Sequence, residues 1–582
     1  MSAPQRGIVL LVVLFAVGCG PAASTEQGGD GTGQQRPART LVMVARSEMA
    51  SLAASPPQGL NLGLTAGTTT RLFNAGLSLE DGRGLIHPYL AEALPQLNTD
   101  TWRVFPDGRM ETTYRLRPNL TWHDGTPFSA RDFVFSWRVY LVPELGRSDS
   151  PPRNLMEEVL ATDDRTVLIR WRQPYADAAV LEAGGGGGTG SGKSFPPLPS
   201  HLLEQPFAQG SLEAFTALPF WSVSYVGLGP FKLDRWEQGA FFEASAFDGH
   251  ALGRPRVERI RVMFAPDFNT TVATMLAGEG HLTIDDSIRH QQGLILKREW
   301  AGNNGGTVLV YPSLWRWVQI QQRPEYAATR ALLDVRVRKA LAHTVDRSAL
   351  SEALFEGEGI IADAPIEPTL DYFPRVDRVV TKYGYDPTRA QQLMAEAGFS
   401  RGGDGVYTSP TLGRLAFDLA VLQSPQNEAE MSIMASTWRQ VGFDVKEVVW
   451  SAVQGRDREL RQIHSGLSTT SGSGGDQTLA RHNSANLPTR ENGWGGGSGA
   501  NRGGWLAPPE FDRLADAFNA TLDRDQRIQI LADMARIWTE DAPVISLYFN
   551  PTVTAFVAGL QGPQPVVPTS DVAWNVHEWE FR

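Results

Sequence analysis

Short apolar runs and helical stripes alternate along this chain, and their periods predict its elements. Thr40 to Ala45, TLVMVA, predicts a first strand. Alternation over Met110 to Leu116 and Thr166 to Trp171 predicts two more, with Thr162-Asp163-Asp164-Arg165 as a hairpin turn. Arg256 to Phe264 alternates again, and Thr270 to Glu279 reads as a helix ending near Gly278 and Gly280. Val337, Leu341 and Val345 recur at i, i+4 and i+8, one apolar helical stripe. Asp386 is an N-cap, Pro387 fits a first turn, and Gly398 ends that helix. Met431 to Val441 reads as a helix and Phe443 to Trp450 as a strand. Asp523 caps a helix with Gln526 three residues on and Ile528, Leu531, Ala535 and Trp538 along one face.

The most informative stretch is Leu120 to Trp137, LTWHDGTPFSARDFVFSW. It reads strand, turn, capped helix. Asp124-Gly125 is a turn pair, and Ser129 with Asp132 forms a near capping box. Phe133, Val134 and Trp137 give the helix an apolar face. His123-Asp124 sits in the turn and reads as structural rather than catalytic.

This segment resembles the W-H-D-G-x-P-F-[ST]-A-x-D pattern of family 5 extracellular solute-binding proteins, the peptide receptors of ABC importers. Further phrases resemble the same family in the same order. They are LFNAGLSLEDGRGLIHPYLAEAL within Arg71 to Leu94, VGLGPF at Val226 to Phe231, and DVRVRKALAHTVDRSALSEAL from Asp334. Tyr385-Asp386-Pro387 and Asp541-Ala542-Pro543-Val544-Ile545-Ser546-Leu547-Tyr548 complete the series. The glycines of VGLGPF are read as a sharp bend between lobes.

The resemblance covers about residues 40 to 582. It implies an α/β fold of the type II periplasmic-binding kind, with three lobes and a hinged ligand cleft. Lobe I would comprise 40–84, 209–310 and 500–582, an inserted lobe II 85–208, and lobe III 311–499. Two crossings between lobes I and III would make the hinge.

Composition narrows the function further. A chain of 582 residues is too long for one core. A formal charge of -11 argues against nucleic acid as a partner. Arg6 and the apolar run Ile8 to Val17 predict a signal peptide over 1–18, too short to span a bilayer. Ala16-Val17-Gly18-Cys19 resembles a bacterial lipobox, so Cys19 is the expected lipidation site. Cys19 is the sole cysteine, which excludes disulfides and cysteine metal sites. Residues 19–39 are rich in Gly, Ala, Ser, Thr and Gln and read as a flexible tether. The expectation is an exported, membrane-anchored lipoprotein, periplasmic or at the cell surface.

Gly187 to Ser194, GGTGSGKS, matches the phosphate-binding loop pattern, with Lys193 as its lysine. The context rejects nucleotide binding. No β-branched strand precedes the tract, and FPPLPS cannot open a helix. The tract reads as a mobile surface loop.

No catalytic constellation emerges, and neither an enzyme activity, a metal site nor a cofactor is expected. Ligand candidates fall in Ser465 to Pro508. Asp476 is the only acidic residue between Arg461 and Arg490. In peptide-binding relatives, an aspartate of the matching segment holds the ligand's free α-amino group. Arg481 and Asn483 are further polar candidates there. Trp494 and Trp505 flank glycines, and their rings either face a ligand or pin the loop to the core. Trp315 and Trp317 would share one face of a strand, toward cleft or core. His464 and His482 match no tight metal motif and read as solvated loop residues.

The expected function is peptide capture by a monomer that delivers its ligand to ABC permease subunits. The alternatives are a carbohydrate or other small solute, for which 16 tryptophans offer stacking faces, or a receptor that signals without transport.

Overall fold

The structure is a computed structural model that describes residues 40–57, 67–145, 148, 151–184, 193–495 and 501–582. The signal peptide, Cys19, the tether through residue 39, and residues 187–192 of the glycine tract lie outside the described residues.

The chain supplies β1 (Thr40–Ala45), helix α1 (Gly67–Phe73), a hairpin of β2 (Ser78–Glu80) and β3 (Ile86–Pro88), β4 (Trp102–Val104) and β5 (Met110–Arg115). Helix α2 (Ala130–Tyr140) leads to β6 (Met156–Asp163), β7 (Thr166–Trp171), β8 (Phe231–Glu237), β9 (Phe241–Ala246), β10 (Arg259–Phe264) and β11 (Leu282–Thr283). The long strand β12 (Gly306–Ile320) follows. Beyond it come α3 (Val335–His343), β13 (Ile360–Ile361), α4 (Pro387–Glu396), β14 (Ala416–Leu422), α5 (Pro425–Val441), β15 (Asp444–Trp450) and β16 (Leu467–Gly472). Then come α6 (Asp476–Ala480), α7 (Pro509–Ala520), α8 (Arg524–Asp541) and the second long strand, β17 (Val544–Val557).

One sheet runs through the molecule in the order β15-β14-β16-β12-β17-β11-β1-β10-β9-β8, with β13 paired to β17. β1 is buried on both faces between parallel neighbours, which is why TLVMVA is almost continuously apolar. A separate antiparallel sheet, β4-β5-β7-β6, carries α2.

The long strands β12 and β17 pair antiparallel from Gly306↔Val557 to Gln319↔Val544. Their register shifts between Pro312 and Trp315 and again between Arg316 and Trp317. The two ends of each strand enter different cores. Val553 and Ala555 pack with Val44, Met275 and Trp300, and Phe556 packs with Leu41 and Met43. Ile545, Leu547 and Tyr548 pack with Val337, Leu341 and Trp438. The register irregularity therefore sits where both strands leave one core for the other. A bulge interrupts the ladder and concentrates twist at such a point.

The packing of residues 505–541 differs from the lobe I placement read from sequence. Trp505, Phe511, Leu531 and Trp538 share a core with Trp315, Trp317, Ile366 and Leu479. The return toward β1 occurs inside β17. The reason is the apolar stripe of α8, which faces the Trp315–Trp317 side of β12.

Local rules explain the other boundaries. The Ser129 N–H donates to the Asp132 carboxylate at 3.0 Å, closing the start of α2. Asp386 accepts from the Arg389 N–H at 2.9 Å, and Gly398 takes φ +81°. Helix α5 begins at Pro425, earlier than its apolar stripe suggests. Ser424 caps it and Pro425 occupies its first turn, while QNEAE is too polar to show periodicity.

Candidate functional site

The two parts of the molecule meet at a cluster of charged side chains. From the β1 side come Arg71 at the end of α1, Glu80 at the end of β2, Glu182 and Lys193. From the far side come Glu367, between β13 and α4, and Asp476, the first residue of α6. A Cβ added to Gly84 in the β2–β3 turn would stand 3.7 Å from Leu370 Cδ2, so the loop holding Leu370 lies close to that hairpin.

Arg71 and Glu182 form a buried ion pair at 3.0 Å. Burial nonetheless pushes the Glu182 carboxyl above its ordinary range, with Arg71 opposing it. Glu80 accepts a hydrogen bond from Thr569 Oγ1, and its second oxygen lies 3.8 Å from Lys193 Nζ. Lys193 thus leaves the role of a loop bystander that the glycine tract suggested. Burial alone would lower its ammonium, but the carboxylates of Asp177, Glu80, Glu182 and Asp476 raise it above its usual value.

Glu367 is 1% exposed, and neither carboxylate oxygen has a hydrogen-bond partner among the described residues. Burial pushes its carboxyl up to about 8, and the charges of Asp476 and Glu80 add to that. The loop carrying Asp476 lies against it. A Cβ on Gly474 would stand 2.3 Å from Glu367 Oε1, so only glycine permits the approach. The next residue, Gly475, donates its N–H to the Pro365 carbonyl and takes φ +97°.

Asp476 is half-buried, and its Oδ1 accepts the Gln477 N–H at 2.7 Å. Its charge acts on Lys193, Glu367 and Arg481. Arg481 is half-buried, and burial lowers its guanidinium while Asp476 opposes the shift. Asn483 is buried, and its Oδ1 accepts the Asn486 N–H at 3.2 Å, a local cap.

The tryptophans fall into two groups. Trp494 is half-buried at φ +59°, edge-on to Tyr326 at 6.3 Å. Trp505 is buried, donates its Nε1–H to Asp541, and packs edge-on to Phe511 at 5.0 Å. Trp315 and Trp317 do share one face of β12. Their rings stack at 4.0 Å and 15°, buried beside Trp538. In this structure Trp315, Trp317 and Trp505 are core side chains, and Asp476, Arg481 and Trp494 retain solvent-facing surface.

His464 and His482 are not solvated. Both are buried and held down to about 4 by burial. Among the described residues no group of three His, Cys, Asp or Glu side chains has the geometry to hold a metal ion, and no helix is long and apolar enough to cross a membrane. Sequence reasoning missed Glu80, Glu182 and Glu367. Glu367 stands alone in Ile366-Glu367-Pro368, with no pattern to mark it.

A family model for bacterial extracellular solute-binding proteins, family 5, matches residues 92–498. This chain belongs to that family. Its members are solute-binding proteins of ABC transporters. The oligopeptide-binding protein AppA of Bacillus subtilis is 24% identical over 546 residues, covering 90% of this chain and 92% of AppA. The dipeptide-binding protein of Escherichia coli is 25% identical over 525 residues, covering 84% and 86%. The structure of AppA in complex with a nonapeptide superposes with a TM-score of 0.62 at 19% identity, covering 94% of this chain and 99% of AppA. NikA of Brucella suis, in complex with Fe(III)-EDTA, gives 0.71 at 18% identity, covering 94% and 100%. The fold is that of the type II periplasmic binding proteins. VGLGPF acquires its physical reason in that fold. A Cβ on Gly227 would sit 2.1 Å from the Phe73 carbonyl oxygen, and one on Gly229 2.3 Å from the Phe73 carbonyl carbon. These glycines serve close backbone approach rather than a bend.

Proposed function

We propose that this family 5 solute-binding protein captures peptides between its two sides and delivers them to ABC permease subunits. The observation that carries the reading is Asp476. It is a half-buried carboxylate at the meeting of the two sides, and its charge acts on Lys193 from one and Glu367 from the other. Two relatives named for oligopeptide and dipeptide binding support it.

The mechanism follows from the fold. The β1 side and the β12–α8 side are joined by β12 and β17, whose register breaks at Pro312–Trp317. An open form exposes the charged cluster. A peptide that touches both sides makes more contacts when they close, so binding favours closure. Its backbone pairs with strand edges, and its side chains occupy wet pockets, which gives affinity with little sequence preference. Anchoring through a lipid on Cys19 and the 19–39 tether would hold the monomer near its permease.

Native mass spectrometry of the purified protein tests the reading. A retained mass that fragments as a peptide is expected, and a retained sugar or metal complex overturns it. Cys19→Ser tests the anchor. The variant should partition to the soluble fraction and lose palmitate labelling, and unchanged membrane association contradicts lipidation.

A further inference from the structure

One acidic side chain of the interlobe cluster lacks the cationic neighbour that the others have. Arg71 compensates Glu182 at 3.0 Å. Lys193 stands 3.8 Å from Glu80, and Arg527 stands 3.5 Å from Asp177. Asp476 has Arg481 as its cationic neighbour. Glu367 has none. The charges acting on it, Asp476 and Glu80, are both negative. It is 1% exposed with both oxygens unpartnered among the described residues. A buried carboxylate without hydrogen bonds is costly, and natural structures retain such groups chiefly where something else completes them.

Its surroundings locate what would complete it. Glu367 Oε1 faces Gly474, two residues before Asp476. A Cβ there would stand 2.3 Å from that oxygen, so the Glu367 carboxyl packs directly on the main chain of the segment that leads into Asp476. The neighbouring Leu370 lies close to Gly84 of the β2–β3 turn across the interface. Glu367 therefore lies close enough to Asp476 to feel its charge, within reach of a ligand that Asp476 would hold.

We propose that Glu367 receives a second positive charge of the ligand, so that the site selects peptides bearing a cationic side chain of the lysine, ornithine or arginine type. This rests on the peptide reading above and deepens it. Asp476 takes the α-ammonium, and Glu367 pairs with the side-chain ammonium or guanidinium. Lys193 stays with Glu80 and Glu182 and does not compete for Glu367. The pair forms in a site closed from water, where charge-assisted bonds are stronger than in solvent.

The test uses the full chain freed of co-purified ligand and titrated calorimetrically with seven tripeptides. These are Ala-Ala-Ala, the three single-lysine variants, and the same three with norleucine for lysine. Norleucine keeps the aliphatic stem and removes the charge. At one position at least, lysine should bind at least about tenfold tighter than norleucine, as one charge-assisted bond allows. Glu367→Gln should bring that pair within about threefold of each other. Thermal unfolding of the variant at pH 7 verifies that it is folded. No lysine preference at any position in the wild type overturns the proposal without needing the variant. A preference that persists in Glu367→Gln also overturns it. In either case, trialanine binding that Asp476→Ala weakens leaves the peptide reading standing. Failure of all seven peptides to bind overturns both.

Discussion

The His123 ring accepts a hydrogen bond from the Gly227 N–H through Nδ1 at 3.1 Å. Its Nε2–H donates to the Gly229 carbonyl at 3.0 Å. One buried imidazole thus joins the two most family-like stretches of the chain, LTWHDG and VGLGPF. VGLGPF sits at the end of α1, where the Gly229 N–H donates to the Phe73 carbonyl at 3.0 Å. The neighbouring Asp124 turns outward to His201 at 2.8 Å, so His123 and Asp124 do not form a working pair.

Removing that stitch should destabilise the fold. His123→Ala leaves two buried backbone groups without partners and should cost about 2–4 kcal/mol. Gly229→Ala places a methyl group against main chain that cannot yield, and should cost at least about 2 kcal/mol. Urea unfolding monitored by tryptophan fluorescence checks both. A loss under about 0.5 kcal/mol, the scale of a neutral surface substitution, contradicts the assignment.

Acid should unfold the protein through its buried histidines. Burial lowers His123, His464 and His482 to about 4 and His250 to about 3. A histidine in the unfolded chain titrates near 6.5, so the unfolded state takes up protons first as pH falls. Stability from these residues is fully present above about pH 6.5 and lost progressively toward pH 4. Each can account for roughly 3 kcal/mol over that window. Urea midpoints at pH 7, 5.5 and 4.5 should fall steeply, and a flat series contradicts the burial of these rings.

Two carboxyls act in the opposite sense. Glu367 and Asp285 are each pushed up to about 8, first by burial. Asp285 accepts from the Thr68 and Thr69 N–H groups at 3.0 and 3.3 Å and feels the charge of Asp571. A carboxyl whose folded pKa exceeds its unfolded value stabilises fully below about pH 4 and loses that contribution as pH rises to about 8. In the unliganded protein, Glu367→Gln should therefore raise the melting temperature more at pH 8.5 than at pH 5. An equal effect at both contradicts a buried, uncompensated carboxyl.

Much of this was legible in the sequence because it rests on local rules. Periodicity marks the β1 run and the stripe Val337, Leu341, Val345. Side-chain caps mark Ser129, Asp386 and Asp523. What stayed hidden depends on long-range packing. Periodicity does not reveal that residues 505–541 join the Trp315–Trp317 core, because the stripe of α8 shows which face is apolar and not which core it meets. Trp505 reads alike as a ligand platform or an anchor until Asp541 is seen beneath its Nε1–H. Lys193 reads as loop, since Glu80 and Glu182 lie far from it or unremarked in sequence. Glu367 carries no motif at all, and only its burial beside Gly474 exposes it.

Lys193 should accordingly matter for the charge balance and not for nucleotides. Lys193→Met leaves Glu80 without its cation and should destabilise by about 1 kcal/mol, the scale of a partly exposed pair. ATP should produce no calorimetric heat with the wild type. A nucleotide affinity lost in Lys193→Met contradicts the assignment.

Closure about β12 and β17 should be visible in solution. X-ray scattering should give a smaller radius of gyration for the protein with its co-purified ligand than after the ligand is stripped. Identical profiles contradict a hinge at the Pro312–Trp317 register break.

The most direct test of the account is calorimetry on Asp476. Wild type should bind an alanine-rich peptide with a free amino terminus and bind its N-acetyl counterpart poorly. Asp476→Ala removes one charge-assisted bond, about 1.5–3 kcal/mol, and should weaken the free-amine peptide roughly 10- to 100-fold. The acetylated peptide should be little affected. Equal affinity of wild type and Asp476→Ala for the free-amine peptide would contradict the central claim that this carboxylate receives the ligand's amino group.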